Sequence, residues 1–241
     1  MAASFPGSVK SFGAERVNGE YIPANDTNDL RAEVVAVETA LLNGGWLGVA
    51  DLWSYASVNS FAITGDRTGV YTKGLRIRWT QSSIKYGVVV QSVYSAPNTL
   101  VTIAVNTDYT LVNATISGQA ISNLLEPRGF PGWFNWSMVV TAGSGAITAY
   151  TVNLARYRLT AGEFRFITDV TITTNGTGAT SVLESVPVTL ITVGAAAGRE
   201  TAAGKMLQVE YTAAALVLRN YDNSYPAVSG SRLVCGGMAA W

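Results

Sequence analysis

Leu75-Arg76-Ile77-Arg78-Trp79-Thr80-Gln81, Ile84-Lys85-Tyr86-Gly87-Val88-Val89-Val90-Gln91-Ser92-Val93-Tyr94 and Thr99-Leu100-Val101-Thr102-Ile103-Ala104-Val105 follow one another with short interruptions. In the first run Leu75, Ile77 and Trp79 alternate with Arg76, Arg78 and Thr80, the period of two of a strand with one wet face. The second and third runs are rich in β-branched residues, and Ser95-Ala96-Pro97-Asn98 between them is a turn. Successive strands joined by short turns pair antiparallel, so this stretch predicts consecutive hairpins. The module reaches outward to about residues 46–125. Trp53-Ser54-Tyr55-Ala56-Ser57 and Ser60-Phe61-Ala62-Ile63-Thr64 form a strand pair ahead of a turn at Gly65-Asp66-Arg67-Thr68-Gly69. Asp108-Tyr109-Thr110-Leu111 closes the unit.

Glu126-Pro127-Arg128-Gly129-Phe130-Pro131-Gly132-Trp133-Phe134-Asn135-Trp136 interrupts the pattern. Its prolines and glycines stop regular structure, and four aromatics would not be left in water by a simple linker. The segment reads as a packed joint ending a domain over 46–136. Beyond it β-patterns recur over 146–159, 163–173, 182–193, 207–218 and 230–241, with Phe164, Phe166, Val170 and Ile172 sharing a face. Strands at that spacing argue for a β-sandwich of jelly-roll type over 137–241. No internal repeat relates the two modules.

At the other end, residues 1–24 show no period. Their aromatics (Phe5, Phe12, Tyr21) and Ile22 are suited to docking on a neighbour. Residues 26–43 then carry the one strong helical signature. Asp26, Thr27 and Asn28 are competent N-caps, and Asn43-Gly44-Gly45 supplies a left-handed stop. Leu30, Val34, Val37 and Leu41 are spaced 4, 3 and 4, which lines them up in a heptad seam. So short a helix is marginal alone in water. Its seam must pack on the body of this chain or on copies of itself.

The fold class expected is therefore mainly β, in three parts: an arm with a heptad helix over 1–45, an antiparallel module over 46–136 and a sandwich over 137–241. Composition restricts function. Sixteen basic and sixteen acidic residues balance to a formal charge of zero, and charged residues are only 13%. Capture of nucleic acid or an anionic membrane would need a clustered basic excess. Low charge density also fits a surface partly hidden in an oligomer. Histidine is absent and Cys235 is the one cysteine, which removes Ser-His-Asp and Cys-His catalysis and any Cys-based zinc site. Cys235 reads as a small buried hydrophobe. Residues 1–10 lack a signal-peptide core and no stretch approaches 18 apolar residues, so the expectation is a soluble chain made in the cytoplasm, without membrane insertion.

The search for chemistry finds no catalytic constellation. Gly143-Ser144-Gly145 lacks the Lys-Ser/Thr of a phosphate loop, and Gly194-Ala195-Ala196-Ala197-Gly198 reads as a loop or helix start. Asp66, Asp108, Glu163, Asp169, Glu184 and Glu210 could serve as acids, but nothing pairs any two of them as glycoside hydrolysis requires. Arg76 and Arg78, with Lys85 across the hairpin, read as an exposed polar face. Phe130, Trp133, Phe134 and Trp136 are suited either to stacking on sugar rings or to packing in a core or subunit joint. No enzyme, cofactor or metal is expected.

Phe5-Pro6-Gly7-Ser8-Val9-Lys10-Ser11-Phe12, Val17-Asn18-Gly19 and Asn28-Asp29-Leu30-Arg31-Ala32-Glu33 running on to Leu41 resemble a common N-terminal pattern of tailed-bacteriophage virion proteins. Tyr71-Thr72-Lys73-Gly74-Leu75-Arg76-Ile77-Arg78-Trp79-Thr80-Gln81, Tyr94-Ser95-Ala96-Pro97-Asn98-Thr99 and Gly129-Phe130-Pro131-Gly132-Trp133-Phe134-Asn135 resemble a module found in such proteins. The likeness covers residues 5–136 and is architectural beyond. It implies a structural tail-fibre, minor tail or head-fibre subunit, located in the virion. It implies a homotrimer held through Leu30, Val34, Val37 and Leu41 and attached to other virion proteins by residues 1–45. Host attachment through a surface polysaccharide, or capsid decoration, is the alternative role it implies.

Overall fold

The computed structural model of the chain describes residues 24–160, 162–191 and 194–241. Helix α1 (Ala24–Leu42) precedes sixteen strands. β1 (Leu47–Gly48), β2 (Ser54–Ser57), β3 (Ser60–Thr64), β4 (Arg76–Gln81), β5 (Ser83–Ser95), β6 (Asn98–Val105) and β7 (Ser117–Ser122) make one sheet. Its order is β1-β7-β4-β5-β6-β3-β2, antiparallel throughout. β8 (Phe134–Asn135), β9 (Val140–Ser144), β10 (Ala149–Thr160), β11 (Glu163–Thr174) and β12 (Ala179–Ser185) begin a second. β13 (Ala195–Glu200), β14 (Met206–Tyr211), β15 (Ala215–Asn220) and β16 (Arg232–Ala240) complete it, in the order β8-β10-β11-β16-β13-β14-β15-β12-β9. The chain is thus mainly β, with one N-terminal helix and two antiparallel sheets.

Topology curls the second sheet. Its two outer strands, β8 and β9, are sequence neighbours, separated only by residues 136–139. A link that short spans roughly 17 Å at full extension, so the ends of a nine-stranded sheet meet only if the sheet bends round on itself. The link is pinned to both sides: Trp136 N–H donates to Ala155 O at 3.2 Å, and Ser185 N–H donates to Val139 O at 2.9 Å. The result is sandwich-like. Phe164, Phe166, Val170 and Ile172 do share its inner face, all at or below 1% exposure.

The first sheet is covered on both sides. One face packs Trp53, Phe61, Tyr71, Ile77, Trp79 and Val101 into a core of its own. The other carries Val88 and Ala104 into the core of the second sheet. The two modules therefore share apolar packing at their boundary.

Several sequence expectations need correction. The helix begins at Ala24, so Asp26, Thr27 and Asn28 lie in its first turns, where acidic residues favour the helix dipole, and not at its cap. The arm's docking residues Phe5, Phe12, Tyr21 and Ile22 fall outside the described residues. Residues 108–111 form no strand; β7, too poor in β-formers to stand out, closes the sheet against β1 and β4. The run 207–218 is a hairpin, because Thr212 Oγ1 accepts from Ala215 N–H at 3.0 Å and turns the chain. The run 182–193 stops pairing at Ser185, ahead of Pro187, which has no N–H to donate. Residues 195–200 are strand, not a helix start.

Candidate functional site

The end of α1 is built as its composition predicts. Asn43 N–H reaches Thr39 O at 3.0 Å, and Gly44 and Gly45 take φ of 64° and 88°, open to glycine at no steric cost. A Cβ on Gly44 would lie 2.2 Å from Arg128 Cβ. The chain thus leaves the helix pressed against the joint, where Arg128 N–H donates to Gly44 O at 2.9 Å and Trp46 Nε1 donates to Arg128 O at 2.9 Å. The seam of the helix stays open although Asp29 beside it is buried. Leu30, Val34 and Val37 are 52%, 47% and 37% exposed, and Val35 and Leu42 are exposed beside them. The side chain of Leu41 lies outside the described residues. Of the two covers open to the seam, the body of the same chain leaves these three residues uncovered.

The joint behaves in the opposite way. Phe134 and Trp136 are buried, Phe130 is half-buried and Trp133 is 38% exposed. Trp46, Tyr86, Phe130, Phe134, Tyr157, Trp136, Phe164, Phe166 and Tyr211 form an unbroken ring ladder with centroids 5.5–6.3 Å apart. Most steps are edge-to-face, the arrangement that aligns a ring's positive edge with a neighbour's negative face. Of the two roles open to Phe130, Phe134 and Trp136, packing between the modules is the one this geometry gives them. Trp46, Tyr86 and Tyr157 belong to the ladder although no local motif singled them out. They come from distant parts of the chain.

Arg76 changes meaning most. Far from lying on a wet face, it is 2% exposed. Its guanidinium donates to Gly74 O at 2.6 Å, Leu125 O at 3.2 Å and Leu159 O at 2.7 Å, and lies 5.3 Å from the Phe130 ring centre. It ties the first sheet to β10 of the second through five-donor geometry that no lysine supplies. Burial lowers its pKa, with Arg158 acting in the same direction. Arg78 covers the Trp46 ring at 5.0 Å. Lys85 pairs across with Trp79, so it occupies the opposite face from Arg76 and Arg78 and donates to Thr110 O at 2.6 Å. The expected cationic face does not exist as a surface.

The six candidate carboxylates are dispersed. Asp66 caps Thr68, which lowers its pKa, and Asp108 accepts from Asn106. Glu163, Asp169 and Glu210 pair with Arg165, Arg232 and Arg219. Glu184 is the exception, fully buried on the inner face of β12. Its Oε2 stands 3.8 Å from Cys235 Sγ, which is 2.8 Å from Thr168 Oγ1, and its Oε1 has no hydrogen-bond partner among the described residues. Burial pushes its pKa up to about 7, and Thr168 and Cys235 oppose that only in part. The Cys235 thiol is raised as well, by burial and then by the carboxylate, so it sits inert in the core as its apolar setting predicts. One signal for Glu184 was available: it stands two residues after buried Val182 in a strand. Among the described residues no group of three or more His, Cys, Asp or Glu is placed to hold a metal, and no helix is long and apolar enough to cross a membrane.

Comparison of the chain with protein-family models, with curated proteins and with solved structures yields no match.

Proposed function

We propose that this chain is a structural subunit of a tailed-phage virion, a short fibre or spike that assembles as a homotrimer. Residues 1–45 attach it to other virion proteins, and the two β-modules project from the particle. The likeness of residues 5–136 to such proteins motivates the identity. The observation that carries the assembly is the uncovered seam: Leu30, Val34 and Val37 stand in a row on a helix tethered to the body at its C-terminal end. Three such helices bury those rows against one another and hold the β-modules in register on one side. A seam of two turns is too short to be the whole interface, so the β-modules contribute contacts of their own.

Light scattering on the purified chain at micromolar concentration tests this: the expected mass is three times the 25.4 kDa of one chain, and a monomer overturns the trimer. Val34→Asp with Val37→Asp is expected to dissociate the trimer and leave the near-UV spectrum of the aromatic ladder unchanged. Labelling the N-terminal arm in intact particles, and finding it absent from them, would overturn the virion role.

A further inference from the structure

Where the two sheets meet, a cleft of about 220 Å³ opens away from the ring ladder. Its polar lining comes from four separate segments. Asn59 sits on the turn between β2 and β3; Asn106, Thr107 and Thr110 follow β6; Asn135 lies on β8 with Ser137 just beyond; Ser185 ends β12. None of the lining residues is Asp, Glu, Lys or Arg. In a chain where ion pairs stud the other surfaces, three asparagines converging from three segments without a charge among them is a chemical statement about what belongs there.

The amides are held in place by one end. Asn59 Oδ1 accepts from Ser57 Oγ at 3.0 Å, and Asn135 Oδ1 accepts from Arg156 Nε at 3.1 Å. Each therefore keeps its Nδ2 donor unengaged among the described residues. Asn106 is the bracket between them: its Oδ1 accepts from Asn135 N–H at 2.5 Å and its Nδ2 donates to Asp108. The hydroxyls of Thr107, Thr110 and Ser137 make no hydrogen bond among the described residues, and each can give or take one. The wall behind them is apolar: Val58, Val105, Val186 and Pro187, over a floor of the buried Ile103, Trp136 and Tyr157. Both rings have their polar atoms already satisfied, Trp136 Nε1 by Ser185 O at 2.9 Å and Tyr157 Oη by Val105 O at 2.8 Å. They close the floor of the cleft and ask nothing of a ligand.

We propose that this inter-sheet cleft binds one neutral pyranose unit of a saccharide. A pyranose presents hydroxyls that both donate and accept along its edge and C–H groups on its faces, which matches a rim of amides and hydroxyls over an apolar wall. The volume equals roughly seven waters at about 30 Å³ each, the room of a single ring, and falls short of the roughly 300 Å³ at which drug-sized pockets begin. The charges behind the lining, Arg156 on Asn135, Asp108 on Asn106 and Lys85 on Thr110, are already engaged by it, so a uronate, a phosphate or a protonated amine would be desolvated here at a cost that neutral hydroxyls avoid. The inference does not depend on trimer formation, since every lining residue belongs to one chain.

The test is saturation-transfer and ¹⁵N-shift NMR on the full chain with methyl glucoside, methyl galactoside, N-acetylglucosamine and glucuronate, each at tens of millimolar. A neutral trisaccharide is run in parallel to separate a free sugar from the end of a polymer. The expected result is transfer to at least one neutral pyranoside, shifts confined to residues 103–110 and 134–137, and none with glucuronate. Ser137→Trp fills the cleft from an exposed position whose hydroxyl makes no hydrogen bond among the described residues, and is expected to abolish binding. Asn59→Asp keeps the shape and the Ser57 contact but removes the free donor, and is expected to weaken binding about three- to tenfold. Tighter binding of the trisaccharide than of the monosaccharides identifies a polymer end as the occupant. The proposal is overturned by silence from every neutral sugar, by binding that survives Ser137→Trp, or by glucuronate binding as well as the neutral rings. Shifts at 103–110 that appear only on self-association, and with no sugar, would place another copy's segment in the cleft and also overturn it.

Discussion

Residues 30–41 and residues 130–136 are two short apolar stretches flanking the first sheet, and the molecule treats them oppositely. Phe134 and Trp136 are 3% and 7% exposed inside a ladder that runs through both modules, whereas Leu30 and Val34 stand about half open on a helix joined to the body at its C-terminal exit. The difference lies in what surrounds each stretch. The joint has two sheets to fill the space on either side of it, and Arg76 supplies donors to the carbonyls left there. The helix meets the body at its exit and buries Asp29, while Leu30, Val34 and Val37 stay open among the described residues. An apolar stretch inside the fold holds the chain together; one outside it is available to hold chains to each other.

Breaking the buried side should have the largest effect. Phe134→Ala removes the ring that contacts Phe130, Tyr109 and Tyr157, and the expected loss is about 3–5 kcal/mol of stability by urea unfolding. Both sheets should unfold in one transition, because their apolar packing is shared; two separated transitions would break the comparison.

Glu184 sharpens it, as a polar group on the buried side. Its pKa is 4.5 when unfolded and about 7 when folded, so the fold holds the proton more tightly than the unfolded chain does. The stability that brings is fully present below about pH 4.5 and is lost as pH rises through 7, on the order of 3 kcal/mol in all. Thermal unfolding of the wild-type chain should therefore weaken across that window, and Glu184→Gln should flatten the slope. An unchanged slope in the variant would assign the pH dependence elsewhere.

Arg76→Met keeps the length of the side chain and leaves the carbonyls of Gly74, Leu125 and Leu159 without their donor. About 2–3 kcal/mol should be lost, and Arg76→Lys should recover only part of it. Equal stability of Lys and Arg at this position would show that charge, not the fork of donors, matters.

The smallest effect on the single chain is expected at the exposed side. Val34→Asp should change the unfolding of the β-modules by less than about 0.5 kcal/mol, as surface substitutions do. It should still change the mass seen by light scattering. A large loss of β-module stability would mean that the helix packs on the body after all.

Much of this architecture was legible in the order of residues. Alternation at Leu75, Ile77 and Trp79 and at Phe164, Phe166 and Ile172 assigned strands and inward faces, because period two is a local property of extended backbone. The stop at Gly44-Gly45 and the joint at 126–136 were legible for the same reason. Which apolar or polar face meets another sheet was not, since alternation does not say whether the second face is wet. Arg76 reads as exposed by its chemistry and is buried by the neighbouring sheet. β7, made of Ser117-Gly118-Gln119-Ala120-Ile121-Ser122, has too little β-propensity to be seen without the partners that pair with it.

By itself, then, the sequence determined a mainly β chain with an N-terminal helix, a packed aromatic joint and a core cysteine, all set by local periodicity and by composition. Only the tertiary structure decided that the helix seam stays open, that Arg76 and Glu184 are buried, and that three asparagines from three segments line one cleft. These are relations between residues far apart in the chain, and no local spacing encodes which distant surface a side chain will face.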